Sequence, residues 1–203
     1  DGWDNWKSFI DSFITDIFEL NIIEKVERIS GKKYTGKLTD EKDIAIRVVV
    51  DHIRAVSFAI ADGQLPSNNG AGYVIRRILR RAISYAYRFL GMKEAFLYEL
   101  VAILKDQMGS FFPELGKQQK LITEVIKEEE NSFLKTIENG LIRVEKLIQQ
   151  TIADKQNILP SSEVFELYDT YGFPDDLTRI IAEEKGLTID EAGFEAEMEK
   201  QKQ

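Results

Sequence analysis

Cysteine is absent from the 203 residues, and histidine occurs once, at His52. The first absence removes disulfides, thiolate metal sites and cysteine nucleophiles, and it fits a reducing compartment. The second removes any multi-histidine metal site held within this chain. Proline is scarce as well. Pro66, Pro113, Pro160 and Pro174 each stand where one apolar periodicity stops and another starts, so they read as joints between helices. No run approaches the roughly 20 apolar residues of a membrane helix, and the N-terminus lacks the charged, apolar, small-residue order of a signal peptide. The chain therefore reads as cytoplasmic, with no membrane partner expected. It starts at Asp1 rather than at methionine, which reads as a piece of something longer.

What is present is a large apolar complement, 43% of residues with 10% aromatic, enough for a sizeable core. Net charge is −8, which ordinarily argues against a nucleic-acid partner. The average hides an asymmetry. Between His52 and Lys93 stand Arg54, Arg76, Arg77, Arg80, Arg81, Arg88 and Lys93 against Asp62 alone, a window of +6 that leaves −14 on the remainder. A local basic patch on an acidic body is compatible with that distribution.

The pattern throughout is helical. Trp6, Phe9, Ile10, Phe13, Ile14, Ile17 and Phe18 recur at three and four, predicting a helix over 6–27. Thr39-Asp40 is placed to cap a second helix running to about Ile60, whose all-round apolar character suggests burial. The loop Asp62–Gly72 is rich in Gly, Asn and Ser, and the helix after it, Tyr73 to Leu90, has two unlike faces. Val74, Ile75, Ile78, Leu79, Ala82, Ile83 and Ala86 form one, and Arg76, Arg77, Arg80, Arg81 and Arg88 form the other. A further helix is expected over 95–108. The stretch 117–151 would span on the order of 50 Å as one helix, or fold as a hairpin at Asn139-Gly140. Short helices over 161–172 and 173–186 follow, and Thr188 with Glu191 forms a capping box for a terminal helix. No alternation long enough for a sheet occurs, so the expected fold is all-α. It is a multi-helix domain with a long amphipathic helix or helical hairpin and a small C-terminal helical subdomain. The division expected is 1–115, holding the Asn/Gly loop and the arginine helix, and 116–203, holding the long helix and the short C-terminal ones.

The loop and helix from Asp62 to Arg81 are the most informative piece. Unpaired N–H groups at a helix start suit phosphate or a base edge, and the arginines extend that surface. The same glycines also serve any tight turn between helices, and exposed arginines are common. Gly70-Ala71-Gly72 lacks the third glycine and the preceding strand of a dinucleotide site, and no Lys-Ser/Thr follows as in a P-loop. Asp175 and Asp176 read as first-turn acids complementing a helix dipole rather than as an acid/base pair. Asp169 falls at a helix end, where the dipole disfavours a carboxylate, so it calls for another reason. Glu128-Glu129-Glu130 reads as a solvated face of the long helix. His52 reads as a packed, hydrogen-bonded histidine rather than a catalytic one, and Trp3 and Trp6 as core residues.

Two runs are more specific. The first is Asp51-His52-Ile53-Arg54, then Ala61-Asp62-Gly63-Gln64-Leu65-Pro66-Ser67-Asn68, continuing from Gly72-Tyr73-Val74 to Arg80-Arg81-Ala82. The second is Leu167-Tyr168-Asp169-Thr170-Tyr171-Gly172-Phe173-Pro174-Asp175-Asp176-Leu177-Thr178, extended by Leu187 to Met198. In order and spacing they resemble the middle, helical region of alanyl-tRNA synthetases, well over 44–203 and loosely, through Thr15-Asp16-Ile17-Phe18, over 1–42. Asn69 and Ala71 depart from the charged residues that family often has there.

The resemblance implies the region that grips the acceptor stem of tRNA-Ala and detects its G·U wobble pair. By motif position the base-reading asparagine and aspartate resemble Asn68 and Asp169. Arg76, Arg77, Arg80, Arg81 and Arg88 become candidates for backbone contact. It also implies that ATP and magnesium, for aminoacylation, and zinc, for editing, serve domains of the same parent chain that flank this segment. No catalytic residue and no metal ligand is then expected here. Two competing readings remain. In one, the segment is a scaffold between the aminoacylation and editing domains whose arginines face protein carboxylates. In the other, His52 serves an independent hydrolase.

Overall fold

The computed structural model describes residues 20–201. The apolar positions from Trp6 to Phe18, with Trp3 and the Thr15–Phe18 match, lie outside them. The described residues form two compact units, the first ending at Asn131 and the second beginning at Ser132. The all-α expectation holds. Nine α-helices lie among the described residues, and the strands there are a single pair of two residues each.

In the first unit, α1 (Leu20–Ser30) is the described part of the first expected helix and runs three residues past its expected end. Its Ile22, Ile23 and Val26 are buried. The segment 31–40 is non-helical, and α2 (Glu41–Ala61) begins where the cap residue predicts. The Asp40 carboxylate accepts from Lys42 N at 3.0 Å and Asp43 N at 3.2 Å, satisfying two of the orphan donors of a helix start. α2 is the central helix, touching α1, α3 (Gly70–Tyr85), α4 (Leu97–Met108) and the short α5 (Pro113–Lys117). Val49, Ile53, Val56 and Ile60 of α2 are buried, as are Leu79, Ala82 and Ile83 of α3. α3 passes into a π-helical turn, Ala86–Leu90. One extra residue per turn shifts the phase, so Arg88 does not continue the arginine face at the spacing a regular helix would give.

The long stretch is one helix. α6 (Gln119–Ala153) is 35 residues long and passes through Asn139-Gly140 without a break, which decides between the two sequence expectations. The boundary between the two units falls within it. In the second unit, α7 (Ser161–Asp169), α8 (Asp175–Glu184) and α9 (Glu191–Gln201) follow. β1 (Ile158–Leu159) pairs in parallel with β2 (Thr188–Ile189), Ile158 opposite Thr188 and Leu159 opposite Ile189. This corrects the capping box. Thr188 is engaged in the strand pair, its N–H donating to Asn157 O at 2.9 Å, and the Asp190 carboxylate accepts instead from Gly193 N at 3.0 Å. α9 lies on α7 through an aromatic cluster in which Phe194 sits 5.7 Å from Tyr168 and 6.1 Å from Phe165. No helix among the described residues is long and apolar enough to cross a membrane.

Candidate nucleic-acid interface

The loop before α3 is tied to the helix it opens. Ser67 N donates to Gly72 O at 3.0 Å, and Ser67 Oγ donates to Asn69 O at 2.8 Å while lying 3.3 Å from Asn69 N. A Cβ at residue 72 would collide with Ser67 Oγ and Leu65 O, so Gly72 is required by this close approach. The structure thus assigns that glycine a packing role. The loop is closed on itself, and Asn68 is left exposed at its crest.

The five arginines are not equivalent. Arg76 Nε donates to Glu129 Oε2 at 3.1 Å, and its Nη2 lies 2.8 Å from Glu129 Oε1, a bidentate pair between α3 and α6. Arg76 Nη1 donates to Asn68 Oδ1. Arg80 Nε is 3.7 Å from the same Glu129. Arg77 and Arg81 instead lie along aromatic rings one turn away, 5.7 Å from the Tyr73 centroid and 5.8 Å from that of Tyr85. Arg88 lies 4.6 Å over Phe89, and Lys93 stands 3.2 Å over Tyr87. All five arginines are half-buried.

The run Glu128-Glu129-Glu130 corrects another expectation. Glu128 is exposed, but Glu129 is held by Arg76, and Glu130 is buried at 1% exposure. Glu130 accepts from Phe96 N at 2.9 Å and Leu97 N at 3.0 Å. Phe96 supplies no side-chain cap for α4, so a carboxylate from α6 satisfies that helix start. Burial pushes the Glu130 carboxyl up to about 7 and outweighs the N–H bonds that pull it down, while Glu99 adds to the rise. The signal was legible. Ile122, Ile126, Glu130, Phe133, Ile137, Gly140 and Val144 follow one another at three and four, so Glu130 lies in phase with the buried seam.

Asp169, in the second unit, is the last residue of α7 and is exposed. It sits at the negative end of the helix dipole, where a carboxylate gains no helix stability. Beyond it, the Tyr171 hydroxyl lies 3.3 Å from Glu166 Oε1 and its ring carries Arg143 at 3.8 Å. Asp175 opens α8 and is buried, 4.0 Å from Arg179, as a first-turn acid should be. His52 is half-buried on α2 with Nδ1 3.1 Å from Asp51, which also accepts from Arg54 at 3.0 Å.

The chain matches the family described as tRNA synthetases class II (A) over residues 7–203. It is 56% identical over 198 residues to the alanine–tRNA ligase of Flavobacterium psychrophilum, covering 94% of this chain and 22% of that protein. To the enzyme of the same name from Cytophaga hutchinsonii it is 55% identical over 193 residues, 95% of this chain and 22% of the relative. The chain belongs to the alanine–tRNA ligase family. It spans about a fifth of the length of these relatives. The residues here do not fit the groups expected elsewhere in such an enzyme. The chain has no cysteine and one histidine for zinc, and no acidic or histidine cluster suited to a metal ion occurs among the described residues.

Proposed function

We propose that this segment is the tRNA-Ala acceptor-stem recognition region of an alanine–tRNA ligase. The full-length enzyme attaches alanine to tRNA at the expense of ATP, in the cytoplasm. Aminoacylation with ATP and magnesium, and editing with zinc, belong to other parts of that protein. The observation that carries the reading is Asn68, exposed on a loop that Ser67 ties back on itself directly before the arginine helix. Asp169, exposed at the negative end of a helix dipole, supports it from the second unit.

The chemistry fits an RNA minor groove, which is wide and shallow enough for side chains to reach base edges. A G·U pair leaves the guanine 2-amino group without its usual partner. A carboxylate at Asp169 accepts from such an amine, and the Asn68 amide supplies a geometrically demanding second contact. Arg77, Arg81 and Arg88 neutralise backbone phosphates, positioning the stem without reading it. The acidic total is no obstacle, since only the +6 window has to face RNA.

The test is titration at low salt with an acceptor-stem hairpin carrying G·U, against a G·C version and an Asn68→Ala/Asp169→Ala variant. The expected result is a G·U preference that the variant loses. Equal binding of both hairpins removes the discrimination from this segment. The scaffold reading is favoured by one observation, the turn of Arg76 and Arg80 toward Glu129 instead of solvent. It predicts no measurable binding to either hairpin.

A further inference from the structure

Arg76 is committed to partners within the protein. Its side chain is 21% exposed, and its guanidinium already spends Nε and Nη2 on Glu129, itself 14% exposed. The remaining Nη1 is turned toward the loop and donates to Asn68 Oδ1. A guanidinium has five donors and no acceptor, so whatever it binds on Asn68 must be the amide oxygen. That settles which way the amide faces. With Oδ1 taken by Arg76, the Nδ2 amine is the group left at the exposed crest.

We infer that Glu129 and Arg76 form a positioning relay that locks Asn68 as a hydrogen-bond donor. The inference rests on the proposed tRNA-recognition reading and deepens it. Asn68 then addresses an acceptor in the minor groove, such as a pyrimidine O2, a purine N3 or a ribose oxygen. The acceptor role toward the guanine amine is left to Asp169. Without the relay, the two ends of an exposed amide compete for the same position, and the loop presents a donor only part of the time. Glu129 is necessary because its two oxygens fix the guanidinium plane, a task a lysine ammonium at residue 76 cannot perform. Arg80 Nε stands 3.7 Å from the same carboxylate and adds positive charge beside it, while the bidentate contact is made by Arg76.

The experiment uses the full-length enzyme that carries this segment and measures kcat/KM on matched G·U and G·C acceptor minihelices. In the wild type, G·U is preferred. Arg76→Ala is expected to cut that preference about tenfold, within the range one well-made base contact supplies. Glu129→Gln is expected to weaken it in the same direction. Asn68→Asp keeps the bond to Arg76 but deletes the amine, and is expected to lose the preference as fully as Asn68→Ala. The deciding comparison is a double-mutant cycle. In an Asn68→Ala background, Arg76→Ala should leave the ratio unchanged, since the relay has nothing to position. Thermal unfolding of each variant identifies any that fail to fold, and Glu129→Gln, the mildest change, then carries the test. Equal losses in both backgrounds would overturn the relay, because Arg76 would then be touching RNA itself. Retained preference in Asn68→Asp would overturn the donor assignment. If Asn68→Ala leaves the wild-type preference intact, or none exists, the recognition reading fails first and the two failures are told apart.

Discussion

A carboxylate buried to 1% exposure must find donors or a proton, and Glu130 does some of both. Its folded pKa of about 7 exceeds the ordinary 4.5, so the native state holds the proton more tightly than the unfolded chain. For this group stability is fully present below the unfolded value, declines as pH rises, and levels off above about 7. The whole change is on the order of 3 kcal/mol. Thermal unfolding of wild type and Glu130→Gln from pH 5 to 8 should show the difference between them shrinking or reversing at the alkaline end. Asp43 titrates the other way. It is fully covered, and although burial raises its pKa, bonds from Thr35 Oγ1 at 2.7 Å, Lys37 N at 2.8 Å and Thr35 N at 3.1 Å, with nearby Lys42, lower it to about 2. Its contribution is present above the ordinary carboxylate range and is lost as pH falls toward 2. Asp43→Ala removes the buried acceptor that ties Thr35 and Lys37 of the largely exposed 31–40 segment to α2 and should cost about 1–3 kcal/mol, read by denaturant unfolding, with faster proteolysis of that segment.

Among the elements, α6 carries the most information per residue. Its buried seam is apolar except at Glu130, Gly140 and Thr151; the Thr151 hydroxyl is satisfied within the helix by Leu147 O, and the other two answer a neighbour. A Cβ at residue 140 would strike the ring of Phe173, which is 1% exposed and cannot move aside cheaply. In an exposed helix Gly→Ala gains about 1 kcal/mol, but Gly140→Ala should instead cost about 1–3 kcal/mol through overpacking. Thermal melting decides the sign. Asn139-Gly140 therefore has a reason to be in the sequence that is unrelated to chain reversal. The helix continues through it because the seam continues on both sides, with Ile137 before and Val144 after. At the other end of the same logic, α4 lacks a cap of its own and takes one from a residue more than thirty positions away. Local capping rules, which placed the start of α2 near Thr39-Asp40, have no purchase on that arrangement.

At the scale of the whole molecule, the net charge of −8 is distributed so that one helix carries most of the excess positive charge. Binding to the acceptor stem should then weaken with salt in proportion to the phosphates engaged. Removing Arg77, Arg81 or Arg88 singly should reduce the slope of log K against log salt concentration by about 0.7–0.9 for each phosphate that is no longer neutralised. Arg76→Ala should leave the slope unchanged while altering discrimination, which separates clamps from the relay in one series of titrations. The two compact units hold Asn68 and Asp169 separately, one in each. Each variant therefore tests one unit's contribution to the same preference.

The sequence alone determined the helical architecture, a cap for α2 near Thr39-Asp40, the burial of α2 and the family, because periodicity, capping chemistry and motif order are local properties of the chain. It also located Asn68 and Asp169 as the residues to question. Periodicity reports which face of a helix is covered and is silent on what stands opposite each polar side chain. That Arg76 turns inward to Glu129 while Arg77 lies along Tyr73, that Glu130 caps a distant helix, and that Gly140 makes room for Phe173 were decided only by the tertiary structure. Each depends on a partner brought close by folding, and desolvation and steric fit act only once those partners are together.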